Sequence, residues 1–211
     1  MSASTVVAAF DFDGTLTRRD SVVPFLRRFS SRRRFARRLL RHTLRVLPMA
    51  ARQQRDELRA VASQLVFAGL PIDRVAAQAE LHGSWLAAEG LRRDTVDRLA
   101  WHVDQGHRVV IVSASYEHYV RVVAEQLGGP DVLATRLEVV DGLCTGRLDG
   151  ANCRGPEKVR RLEEWLAGLG LDRSEVTVHA YGDSAGDDEM LAWADHPHRV
   201  VGPLDSVAPT V

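Results

Sequence analysis

Two aspartates stand in the run Asp11-Phe12-Asp13-Gly14-Thr15, directly after the apolar stretch Val6 to Phe10. Two carboxylates therefore emerge together where a buried strand ends, and the carboxyl ends of strands are where α/β enzymes hold ligands. Further polar groups follow at predicted strand ends or helix starts: Ser113, Lys158, and the pair Asp183 and Asp187 in Gly182-Asp183-Ser184-Ala185-Gly186-Asp187. Lys158 is the single lysine among 28 lysines and arginines. Unlike guanidinium with its planar fork, a lysine is a compact point charge that can sit beside a phosphoryl group. Each group alone has a plainer reading. Asp-x-Asp-Gly is a common turn, Asp183 and Asp187 suit an Asx turn and a helix N-cap, and Ser113 suits a cap of the helix that follows.

The elements that must position these groups can be read from periodicity. Val6 to Phe10 reads as a short buried strand, and the next strong strand, Arg108 to Val112 running on to Ser113-Ala114-Ser115, comes almost a hundred residues later. Between them, Ser21 to Glu89 shows helical spacing (Phe25, Leu26, Phe29; Phe35, Leu39, Leu40, Leu44, Leu47; Leu58, Val61, Ala62, Leu65), broken at Pro48 and at Gly69-Leu70-Pro71. Arg93 to Gln105 and Tyr116 to Leu127 read as helices, the second closed by Gly128-Gly129-Pro130. Val132 to Leu148 reads as a strand and a hairpin turning at Asp141-Gly142, Glu157 to Leu169 as an amphipathic helix, and Val176 to Tyr181 as a strand. Asp187 to Ala194 reads as a short helix and Arg199 to Val201 as a last strand. Strands alternating with helices imply a mostly parallel sheet.

With 211 residues, 45% hydrophobic and 27% charged, the chain is long enough for one substantial core plus an insertion and too balanced to be disordered. The start of the chain lacks a secretory pattern, and no run reaches the roughly 18 apolar residues of a spanning helix, so the expectation is a soluble cytoplasmic protein without a transmembrane segment. Cys144 and Cys153 follow no metal-ligand spacing and read as packing thiols.

Taken together and in this order, the motifs resemble the haloacid dehalogenase (HAD) superfamily, whose signature is an Asp-x-Asp-x-Thr loop, a Ser or Thr after the second strand, a Lys, and a late Gly-Asp-x-x-x-Asp loop. Val112-Ser113-Ala114-Ser115 and Asn152-Cys153-Arg154-Gly155-Pro156-Glu157-Lys158-Val159 are most similar to the phosphoserine phosphatase-like branch, subfamily IB. The resemblance covers residues 5–20 and 95–202. It implies a Rossmann-like parallel α/β core, formed by residues 1–18 and 92–211, with an inserted helical cap of the C1 type over residues 19–91. The branch's Ser-Gly-Gly is Ser113-Ala114-Ser115 here, a departure that bears on phosphoserine as substrate.

The same resemblance implies roles that elementary chemistry supports. Asp11 would be the nucleophile, with Mg²⁺ held by Asp11, the main-chain carbonyl of Asp13, and Asp183, because magnesium prefers oxygen ligands. Asp13 would protonate the leaving oxygen and then activate water. Lys158 would neutralise the nucleophile and a phosphoryl oxygen, and Ser113 would donate to another. Gly14 and Thr15 would shape the loop, and Asp187 would support the metal or Lys158. Asp20, Ala114 and Ser115 are candidate substrate contacts, although Asp20 equally suits a cap of the first inserted helix.

Arg32 to Leu47 forms a basic amphipathic pattern, and the first sixty residues carry fourteen arginines against five acidic residues. Three readings compete: a solvated cap face, a peripheral contact of Arg32 to Arg45 with an anionic membrane, and a nucleic-acid contact, the last disfavoured because no aromatic residues are interleaved for base stacking. The leading expectation is a Mg²⁺-dependent phosphomonoesterase forming an aspartyl phosphate from a small phosphorylated metabolite. The alternatives are a lipid-phosphate phosphatase recruited by the arginine helix, as some members of the branch act on phosphatidylglycerophosphate, and a phospho-accepting signalling module. Motif order opposes the last, because receivers place the phosphorylated aspartate after a later strand.

Overall fold

The computed structural model describes residues 5–29 and 55–204. Its centre is a sheet of β1 (Thr5–Phe10), β2 (Arg108–Tyr116), β3 (Asp131–Val140), β4 (Leu143–Asp149), β5 (Val176–Gly182) and β6 (His196–Arg199), in the order β4-β3-β2-β1-β5-β6 and parallel except for the antiparallel pair β3 and β4. β1 lies between β2 and β5, with Phe10 level with Ile111 and Tyr181. Asp11 thus leaves the sheet at its carboxyl edge between two neighbouring strand ends.

Alternation along β1 sends its side chains into two cores. Val7 and Ala9 join Val110, Val112, Val178 and Ala180 beneath α6 (Pro156–Gly168) and α7 (Asp188–Trp193). Ala8 and Phe10 join Ile111 and Tyr181 beneath α4 (Arg93–Asp104) and α5 (Glu117–Gln126). Both faces are covered, as a parallel sheet requires.

The insertion contributes α1 (Val22–Arg27), α2 (Arg55–Phe67) and α3 (Ile72–Trp85). Their buried residues Phe25, Phe67 and Val75 belong to the same hydrophobic cluster as β2 and α5. The chain leaves and returns side by side: Thr17 bridges Leu91, Arg18 N–H donates to Gly90 O at 2.9 Å, and Arg92 N–H donates to Leu16 O at 2.9 Å. The arginine-rich pattern of Arg32 to Leu47 lies outside the described residues, among which no helix is long and apolar enough to cross a membrane.

Two boundaries differ from the sequence reading. The last strand, β6, is His196–Arg199, not Arg199 to Val201: His196 and His198 lie half-buried against β5, Pro197 is tolerated because this is the sheet edge, and Val201 is 86% exposed. The stretch Val132 to Leu148 holds two strands, β3 (Asp131–Val140) and β4 (Leu143–Asp149), forming one hairpin. Its turn places both Asp141 and Gly142 at positive φ (50° and 75°), the backbone that two-residue hairpin turns favour.

Candidate active site

Five strand ends and helix starts converge on one polar centre. α6 begins with Pro156 in its first turn, and Gly155 N–H donates to Gly186 O at 2.9 Å, which fastens the helix start to the acidic loop after β5. Lys158 therefore enters from the first turn of α6. Its ammonium donates to Asp11 Oδ1 (2.5 Å), Asp187 Oδ1 (2.6 Å) and Val112 O (2.7 Å). An ammonium has three protons, so in this arrangement each has a protein acceptor.

Lys158 and Asp187 are each 1% exposed, and Asp11 is nearly as deep. Burial pushes the Asp11 carboxyl up to about 7, against the pull of Lys158. Burial opposes the charge of Lys158 too, yet Asp11 and Asp187 override it and its pKa is raised. Asp187 is lowered: burial works against its ionisation, and Lys158 and the Ser184 hydrogen bonds together outweigh burial. Its second oxygen accepts from Ser184 N–H (3.0 Å) and Ser184 Oγ (2.9 Å), so both oxygens have partners.

Asp13 points elsewhere. Its Oδ1 accepts from Ser21 N–H at 2.9 Å and its Oδ2 from Ser115 Oγ at 2.5 Å. Burial raises its pKa. Asp183 is also raised, by burial and then by Asp187, and Thr15 Oγ1 donates to its Oδ1 at 3.4 Å. Thr15 is fixed in turn, because Thr95 Oγ1 donates to its carbonyl at 2.8 Å.

Carboxylate oxygens of Asp11, Asp183 and Asp187 lie within 4.8 Å of one another. Three carboxylates beside one lysine make an all-oxygen donor set that fits a small hard divalent cation. Asp11 and Asp183 would be the carboxylate ligands, and Asp187, with both oxygens hydrogen-bonded, would steady Lys158.

These groups line a cavity of about 390 Å³ together with Gly14, Ser113, Ala114 and Asp20. Asp20 also accepts from Val23 N–H at 3.1 Å, capping the start of α1. Ser115, whose hydroxyl is turned to Asp13, is not among the lining residues. Ser113 accepts from Ser115 N–H at 3.0 Å, and this leaves its own proton to donate. The rim carries Arg18, Arg19, Arg59 and Arg154. Sequence reasoning missed Arg59, whose Nη1 is buried with no hydrogen-bond partner among the described residues and whose guanidinium lies 5.3 Å from the Tyr116 ring centre. One arginine among many in the first sixty residues carried no signal of its own.

A doubly wound sheet with carboxylates and a buried lysine at its carboxyl edge is suited to phosphoryl chemistry. The profile of the haloacid dehalogenase-like hydrolases matches residues 8–192, and the chain belongs to this family. It is a phosphatase. It is 37% identical to protein CicA of Caulobacter vibrioides over 92% of this chain and 86% of that one. It is 28% identical to phosphoserine phosphatase SerB1 of Mycobacterium tuberculosis, over 89% of this chain and 62% of that one. Among solved structures, a protein of unknown function from Bordetella pertussis superposes with a TM-score of 0.75 at 26% identity, covering 89% of this chain and 86% of that chain. A phospho-aspartyl intermediate analogue of phosphoserine phosphatase shares the fold, with a TM-score of 0.62 at 21% identity over 91% of this chain and 84% of that chain.

Proposed function

We propose that the protein is a Mg²⁺-dependent phosphomonoesterase that works through an aspartyl phosphate on a small phosphorylated metabolite. The observation that carries this reading is the single ammonium of Lys158 held between Asp11 and Asp187, with Asp13 two residues from the nucleophile and facing a separate set of donors. Bound Mg²⁺ would cancel part of the charge on an incoming phosphate dianion and so let a carboxylate approach it.

The chain's own groups account for the rest. Asp11 attacks phosphorus and forms the acyl phosphate bond as the ester P–O bond breaks, and Asp13 gives its proton to the departing oxygen. Asp13 then takes a proton from water, which attacks phosphorus and releases phosphate and the Asp11 carboxylate. Ser113 donates its free proton to a phosphoryl oxygen, and Lys158 pulls Asp11 toward its ionised form and aims it.

The leaving group meets the arginine rim. Arg59 Nη1, buried without a partner among the described residues, supports a substrate that carries a second anionic group such as a carboxylate. That chemistry is shared with phosphoserine and with other phosphorylated acids, and the names of SerB1 and related proteins favour substrates of this kind.

The test is phosphate release from a panel of phosphomonoesters, including phosphoserine, sugar phosphates and histidinol phosphate, with Mg²⁺ and with EDTA. Release that requires the metal and favours one class supports the reading and identifies the substrate. Release unaffected by EDTA removes the metal from the mechanism, and silence across the panel removes the small-metabolite assignment.

A further inference from the structure

Asp13 is gripped by more than its role in proton transfer explains, and the grip comes from a kink in β2. Ser113 pairs with Ala134, but Tyr116 pairs with the very next residue of β3, Thr135, so Ala114 and Ser115 have no counterpart across the sheet. Such a bulge re-aims side chains. Here the Ser113 hydroxyl accepts from Ser115 N–H and holds the bulge closed, and Ser115 Oγ is delivered to Asp13 Oδ2 at 2.5 Å.

Behind Ser115 stands a buried chain of hydroxyls. Ser21 Oγ lies 3.5 Å from Ser115 Oγ and 2.8 Å from the Tyr119 hydroxyl, and Ser21 and Ser115 are each 1% exposed while Tyr119 is fully buried. Once Asp13 has given up its proton its carboxylate only accepts, so in that state the proton of Ser115 points at Asp13. Burial keeps the Tyr119 phenol protonated, its pKa raised well above the usual value. Ser21 Oγ links Ser115 and Tyr119, and in each of its pairs the geometry allows either hydroxyl to be the donor. Ser21 is itself anchored, since its N–H goes to Asp13 Oδ1 at 2.9 Å and its carbonyl lies 2.9 Å from His82 Nε2.

We propose that Ser115 is a positioning residue for proton transfer: at the end of the Tyr119–Ser21 hydroxyl chain, it fixes the orientation of the Asp13 carboxyl toward the leaving-group oxygen. The proposal rests on the phosphatase mechanism given above and adds to it a group that touches neither substrate nor metal. The terminal torsion of an aspartate is broad, and Ser21 N–H at 2.9 Å and Thr17 Oγ1 at 3.4 Å hold only its Oδ1. The Ser115 hydroxyl on Oδ2 stops the carboxyl from swinging. The phosphoserine phosphatase-like pattern has glycine at this position, so the device belongs to this chain rather than to that pattern.

The experiment uses the dependence of general acid catalysis on the leaving group. A poor alkoxide leaving group needs a proton as the P–O bond breaks, whereas p-nitrophenolate leaves without one, and kcat/KM reports that first step. Ser115→Ala should lower kcat/KM for the best-hydrolysed alkyl phosphate by about tenfold or more, and for p-nitrophenyl phosphate by less than about threefold. Ser115→Cys, which keeps the volume but loses the strong donor, should show the same selectivity, and Ser115→Thr should restore the parent ratio. Equal losses on both esters, in Ala and Cys variants whose thermal midpoints match the parent, would overturn the proposal, as would a cysteine variant that retains the parent ratio. If the unaltered protein releases phosphate from neither ester with Mg²⁺, the phosphatase mechanism itself fails and the proposal falls with it, a result distinct from equal losses.

Discussion

Gly14 and Asp183 lie so close that no side chain fits between them: a Cβ on Gly14 would overlap the Asp183 carboxylate, standing 2.7 Å from its Cγ. Gly14 also adopts a φ of 84°, where an L side chain is strained. Gly14→Ala should therefore displace a proposed metal ligand and cost about 1 kcal/mol or more in stability. The check is the Mg²⁺ concentration giving half-maximal activity, measured beside the thermal midpoint. Unchanged metal dependence would show that Asp183 does not need this approach.

Asp11→Asn replaces the nucleophile at nearly constant volume. Because burial already pushes the Asp11 carboxyl up to about 7, a neutral amide is tolerated there, and the variant should unfold at or above the parent temperature. Turnover should fall by more than about a thousandfold. Residual activity above about a hundredth of the parent's would remove Asp11 from the role of nucleophile.

Lys158→Met has the opposite balance. It leaves Asp11 and Asp187 buried and facing each other without their shared cation, and breaking such a cluster costs about 3–5 kcal/mol. Urea denaturation of the variant, with and without Asp187→Asn, measures this directly. The double variant should recover part of the loss. No recovery would mean that Lys158 contributes through packing and its bond to Val112 O alone.

Stability should also carry a histidine signature at acid pH. His102, His107, His179, His196 and His198 gather between α4 and the β5–β6 edge, with His102 Nδ1 2.8 Å from His107 Nδ1 and His102 Nε2 2.9 Å from the Tyr181 hydroxyl. Burial first, and then neighbouring histidines and Arg98, lowers His102 to about 3. Burial, the other histidines and Arg98 also lower His179 and His198, each to about 4. The unfolded chain takes up these protons near pH 6.5 and the folded chain only near pH 4 or below. Their contribution is thus full above about pH 6.5 and is lost as pH falls from there toward about 4. Asp11, Asp13 and Asp183, raised by burial, act with the opposite sign, so the comparison must be between proteins. His102→Gln should be less stable than the parent at pH 7.5 but lose less on going to pH 5. Parallel curves would discount the cluster.

Legibility in the sequence followed the range of the interactions. The strand before Asp11 and the acidic loop after β5 are visible because an apolar run gives way abruptly to carboxylates, and Lys158 is visible by its rarity. β6 is not, since His196-Pro197-His198-Arg199 lacks apolar alternation and its partners are rings on β5. The role of Ser115 is hidden for another reason: its contact with Asp13 depends on a bulge in one strand and on a helix start far away in the chain. Arg59 reaches the cavity from the insertion, and no local pattern distinguishes it from the arginines around it.

The chain has one ε-amine, and that amine is buried with all three protons taken. Amine-directed reagents therefore have no lysine target on the folded surface beyond the α-amino group. Labelling at Lys158 reports opening of the active centre and nothing else, so the rate of a single covalent adduct is a clock for local unfolding there.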